Sequence, residues 1–288
     1  MPHTTIEEIV ASDRNFIHAC NLLQKKRSYA SLTPIRQTAL NAIIPQYLIF
    51  INENLKLSGH SEQIIKKRVE LLNSYYEFLL DNGFDNTFTS QGKLRPTILE
   101  EFLYILFKDL LKELKETISD DNDILNLGNA KAYTNLYFTA KNLKDFICTP
   151  NIGINKKDQD FAIYRPITLK IDNGPTENVN IPIVSIEAKT YLDKTMLDGS
   201  IATAEKIKSG NPYAKYYVVA ETYEVNPSVD PVYSRIDQIY VLRKSRRRSD
   251  HTPIHEDVII KLVNEVKHHL TRDWSNVEAK MLEFGEII

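Results

Sequence analysis

Glu187 and Lys189 leave an apolar run, Ile183-Val184-Ser185-Ile186-Glu187-Ala188-Lys189, two residues apart. In a β-strand alternate residues share a face. Val184, Ile186 and Ala188 would then pack inward while Glu187 and Lys189 project together, their Cα atoms roughly 6.6 Å apart. Burying either charge alone is costly, so the two need a common reason. An ion pair at a sheet end is one such reason, and chemistry on a charged substrate is another. Acid-x-Lys occurs four times in the chain, at Glu113/Lys115, Glu187/Lys189, Glu265/Lys267 and Glu278/Lys280. Three of these fall in helical sequence, where side chains two apart do not face each other. Only Glu187/Lys189 lies on an apolar strand. It is preceded, 27 residues earlier, by an acid entering another strand-like run, Asp158-Gln159-Asp160-Phe161-Ala162-Ile163.

An Asp, a β-hairpin and then Glu-x-Lys is the pattern of PD-(D/E)xK nucleases, here without the leading Pro. Its chemistry explains the residue types. Phosphodiester hydrolysis must neutralise charge on a pentavalent transition state and supply hydroxide at neutral pH. Two carboxylates suit a hard cation such as Mg²⁺, which keeps several waters and lowers the pKa of one. A lysine can orient or deprotonate the attacking water and offset phosphate charge. The carbonyl of Ala188, between the two, is a candidate further ligand. Glu101, near the start of the helix before the sheet, is a candidate carboxylate acting through a water, or a first-turn helix residue.

The elements that must position these groups follow from periodicity. Leu40 to Asn54 and Ser61 to Leu80 carry apolar residues at helical spacing, with Ser61 as N-cap and Gly83 as stop. A third helix is expected after Arg95-Pro96-Thr97, with Thr97 and Glu100 at capping-box spacing. Strands are expected at 133–138, 160–171, 181–188, 216–220 and 236–242, and helices at 196–209 and 258–270. That order predicts an α/β core with a mixed sheet flanked by helices. We expect a helical subdomain over 1–92, serving DNA contact or dimerisation, and a nuclease domain over 93–288.

Several segments resemble the BbvCI-type family of type II restriction endonucleases. They are Pro96 to Phe102, Lys157 to Phe161, Ile183 to Leu197, Thr203 to Lys208, Tyr216 to Glu221 and Ile236 to Lys244. The resemblance spans most of the chain from about residue 90 and, more weakly, the helical part. It implies two related subunits, each with one PD-(D/E)xK site, cutting one strand apiece of a short, not quite palindromic duplex site. It also implies Asp160 and Glu187 as ligands of Mg²⁺, Lys189 as the catalytic lysine and Glu101 as the helix glutamate of the pattern. The expected partners are double-stranded DNA and a homologous second subunit, a homodimer being the alternative. A repair nuclease of the same fold and a non-catalytic DNA-binding partner are the competing readings.

Arg243-Lys244-Ser245-Arg246-Arg247-Arg248 places five cations in six residues after a strand, so Arg243, Lys244, Arg246, Arg247 and Arg248 are candidate phosphate contacts. His251, His255, His268 and His269 lack partners at metal spacing. The 288 residues carry net charge −2, and with 42% hydrophobic and 26% charged residues a disordered or fibrous chain is excluded. The longest apolar stretch, Leu40 to Ile51, is broken by Asn41, Pro45 and Gln46 and is about half the length of a membrane span. No leader is apparent, and Cys20 and Cys148 read as reduced thiols. The expected location is a prokaryotic cytoplasm, away from membranes.

Overall fold

The computed structural model describes residues 2–85, 87–88, 94–118, 125–170, 176–274 and 277–285. The amino-terminal third is helical, with α1 (Ile6–Ser12), α2 (Ile17–Arg27), α3 (Pro34–Lys56) and α4 (Glu62–Asp81). Ser61 caps α4 by accepting the Ile64 N–H, and Gly83 ends it at φ 65°, a conformation that favours glycine. The long helix α5 (Leu94–Ile118) begins before the expected capping box. Thr97 is therefore inside the first turn, where its hydroxyl donates to the Leu94 carbonyl, and Pro96 is tolerated because first-turn N–H groups have no helical partner.

A five-stranded mixed sheet follows, in the order β1 (Asn126–Thr139), β2 (Asn151–Lys170), β3 (Thr176–Leu192), β4 (Lys215–Tyr223), β5 (Gln238–Val241). The short helix α6 (Leu143–Cys148) joins β1 to β2, and α7 (Lys194–Gly210) joins β3 to β4. β1, β2 and β3 pair antiparallel in turn, whereas β3, β4 and β5 run parallel. Helices α8 (Glu256–Thr271) and α9 (Val277–Phe284) complete the described chain. The expected strands form, but the one expected at 236–242 shortens to Gln238–Val241, and Asp160, expected at the entry of a strand, lies midway along β2. Ile171, the expected end of one, lies outside the described residues, as does the 92/93 boundary.

Strand alternation sorts the sheet into two faces. Phe161, Ile163, Val184, Ile186, Ala188, Tyr217 and Val219 join one apolar cluster with α5, α8 and the amino-terminal helices, running from Ile6 to Val266. Tyr216, Val218 and Ala220 turn to the other face, under Leu197, Ala204 and Ile207 of α7. Gly210 lets the end of α7 settle on β1, because a Cβ there would stand 2.2 Å from the Thr134 carbonyl oxygen.

Candidate active site

The alternation that buries Val184, Ile186 and Ala188 sends Ser185, Glu187 and Lys189 to the α7 face. Asp160 reaches the same place from β2 by the same alternation, opposite Glu187 in the register that pairs Phe161 with Ile186, and a bulge against β1 lies beside it. β1 advances from Gly128 to Ala130 while β2 goes from Ala162 to Gln159, one residue more. Such a bulge bends the strand. The β2–β3 ladder stops at Phe161↔Ile186, and the Asp160 carboxylate takes over as acceptor for the next strand amide, Ala188 N–H to Oδ2 at 2.9 Å. Lys189 Nζ lies 2.6 Å from Glu187 Oε1 and 3.6 Å from Asp160 Oδ2. The three side chains keep 29%, 19% and 25% exposure for Asp160, Glu187 and Lys189, sheltered from bulk water yet open to a phosphate.

One ammonium serves two acids here, and the electrostatics reflect that ratio. Burial and the neighbouring Glu187 charge push the Asp160 carboxyl up, with Lys189 and the Ala188 N–H pulling it partly back. Burial alone would lower the Lys189 pKa, but Asp160 and Glu187 together outweigh it and the net direction is up. Lys189 is thus an ammonium at neutral pH, able to orient water and offset phosphate charge. A second cation would relieve the crowding of carboxylates. Both Asp160 contacts engage Oδ2, which leaves Oδ1 for such an ion. Among the described residues no group of three or more His, Cys, Asp and Glu stands ready to hold a metal. A cation here would rest on two carboxylates, a main-chain carbonyl and water, the hard and partly hydrated set that suits Mg²⁺.

A family model described as the Bpu10I restriction endonuclease matches residues 91–252, more than half of the chain and all of this site. The chain belongs to that family. A solved structure, the native BbvCI A2B2 tetramer at low resolution, is similar in fold, with 21% identity, TM-score 0.65, and coverage of 90% of this chain and 96% of that one. A search of curated proteins found no match. Among the described residues no helix is long and apolar enough to cross a membrane.

Two expectations for this Bpu10I-family chain need correction. Glu101 does not join Asp160, Glu187 and Lys189. It is fully buried on α5, which packs against the opposite face of the sheet. Its Oε2 accepts the N–H groups of His18 and Ala19 at 2.8 and 3.1 Å, capping α2, and its Oε1 accepts the Tyr47 hydroxyl at 2.9 Å. The basic run also divides. Arg243 is buried and donates to Glu221 Oε2 at 2.8 Å, and Arg95 forks onto the same carboxylate, so Arg243 is structural. Lys244 is exposed but paired with Asp257 at 2.8 Å. Arg246 reaches the Val225 carbonyl, while Arg246, Arg247 and Arg248 border an open cavity with Glu224. Arg248 pairs with Glu224 and lies 3.8 Å over the ring of Tyr191, two residues beyond Lys189.

The Glu221 centre escapes sequence reasoning. Arg95, Asp85, Glu221 and Arg243 come from four separate segments, with both guanidinium groups 5.2 Å from the Tyr76 ring. Nothing in their local sequence announces the meeting.

Proposed function

We propose that the chain is one subunit of a type II restriction endonuclease that hydrolyses one strand of a specific double-stranded DNA site with Mg²⁺. The observation that carries this reading is the convergence of Asp160 and Glu187 on Lys189 in a partly open site. Asp160, Glu187 and the Ala188 carbonyl are the groups to hold the cation. When bound, Mg²⁺ supplies charge neutralisation at the phosphate and acidifies water. Lys189 orients the attacking water and neutralises charge gained by the phosphate oxygens. Arg246, Arg247 and Arg248, which border an open cavity near Tyr191, would meet the DNA backbone.

One such centre acts on one phosphate at a time, and duplex strands are antiparallel, so cutting both at once needs two centres about an approximate twofold axis. The similar solved structure is an A2B2 tetramer, which supports a homologous second subunit as partner. The amino-terminal helices would serve DNA contact or assembly. The test combines a Glu187→Ala chain with an intact partner and supercoiled plasmid. Open circle nicked always on one strand is expected, with run-off sequencing to identify that strand. Nicks on either strand would indicate a symmetric homodimer, and full linearisation would sink the one-strand-per-subunit mechanism.

A further inference from the structure

Glu187 is held by more than Lys189. Its second carboxylate oxygen, Oε2, faces the hydroxyl of Tyr216 on β4 at 3.3 Å. The parallel register sets Ser185 beside Tyr216 and Glu187 beside Val218, so the phenol reaches Glu187 along a diagonal of one sheet face. Tyr216 itself is fully buried beneath α7, in the cluster with Ala204 and Ile207. Its backbone is pinned as well. The Tyr216 N–H donates to Asp237 Oδ2 at 2.8 Å and its carbonyl accepts the Asp237 N–H at 2.9 Å. Asp237 is held in turn by Lys208 at 2.6 Å and Lys215 at 2.7 Å.

We infer that Tyr216 is a positioning residue, a rigid post that fixes the torsion of the Glu187 carboxylate for the cation. This rests on the metal-ligand reading of Glu187. The two oxygens of Glu187 have different partners, Lys189 on Oε1 and Tyr216 on Oε2, so the carboxylate plane is defined from both sides. Without the phenol the carboxylate can rotate about its last bond, and binding a cation must then restore the order. Partners that orient metal ligands in this way typically contribute about 10–100-fold in affinity or activity.

The test is Tyr216→Phe, which keeps the ring and removes only the hydroxyl. Ca²⁺ titrated calorimetrically onto the metal-free full-length chain should bind roughly tenfold more weakly. The Mg²⁺ concentration for half-maximal plasmid cleavage should rise by a similar factor, with the rate at saturating Mg²⁺ largely restored. Tyr217→Phe is the control, because Tyr217 turns to the opposite face and packs edge-on against Tyr240. Unchanged Ca²⁺ affinity in Tyr216→Phe would overturn the inference, as would an equal loss in Tyr217→Phe. Glu187→Gln separates this failure from a deeper one. If that variant binds Ca²⁺ as the parent does, Glu187 is not a ligand and the metal site itself has been misplaced.

Discussion

Replacing Glu101 with Gln removes a charge and keeps a shape. The Gln carbonyl can accept the N–H groups of His18 and Ala19, and its NH₂ can donate to the Tyr47 oxygen, which has a free lone pair. In the parent, burial pushes this carboxyl up from 4.5 to about 7, the three donors pulling it only partly back. Between those values the folded chain retains a proton that the unfolded chain has released. Stability therefore falls as pH rises from 4.5 through about 7 and levels off above. At about 1.4 kcal/mol per pH unit the full difference is about 3 kcal/mol. Glu101→Gln cannot titrate. Relative to the parent it should be close to neutral in stability below about pH 4 and up to about 3 kcal/mol more stable near pH 8. Urea unfolding of both proteins across that range measures the difference, and plasmid cleavage in Mg²⁺ should continue because Glu101 is on the far face of the sheet. A pH-independent difference would refute the buried-carboxyl argument. Loss of cleavage by a folded variant would return Glu101 to the metal.

Other perturbations probe the remaining groups. Asp160→Ala should cut the cleavage rate by roughly a thousandfold or more while specific DNA binding, followed by gel shift, survives. Near-normal cleavage would remove Asp160 from the site. Lys189→Ala should bind Ca²⁺ in the presence of DNA but lose turnover, and parental cleavage would reduce the lysine to an ion-pair partner. Neutralising Arg246, Arg247 and Arg248 together should weaken cognate and random DNA about equally. The salt dependence should flatten by roughly one log–log unit for each phosphate no longer neutralised. An unchanged slope would return them to solvent. Glu221→Ala leaves the buried Arg243 guanidinium without a carboxylate and Arg95 with Asp85 alone, and should cost about 3–5 kcal/mol in urea unfolding. A loss under about 1 kcal/mol would show that these charges are solvated, as surface pairs are.

The site is legible in the sequence where its logic is local. Strand alternation alone puts Glu187 and Lys189 on one face, and an acid in the preceding strand supplies Asp160. The rest depends on partners distant in sequence. Glu101 looks like a first-turn helix residue with a free carboxylate, yet its donors, His18, Ala19 and Tyr47, lie 54 to 83 residues away. Arg243 reads as one cation among five because Glu221 and Arg95 arrive from other segments. Tyr216 reads as one residue of an apolar strand, since only the parallel register with β3 brings its hydroxyl to Glu187. The Thr97 capping box fails for a related reason, its hydroxyl being engaged by the Leu94 carbonyl within a helix already begun.

The apolar cluster that runs from Ile6 through α5 to Val266 has a consequence for how such chains can diverge. The helical third is not a cassette. It shares its interior with the sheet, so heat or urea should melt both in one transition. Chimeras joined near residue 92 would have to match dozens of mutually fitted side chains at once. Exchange of the helical third between such chains would therefore have to carry the inner face of the sheet with it.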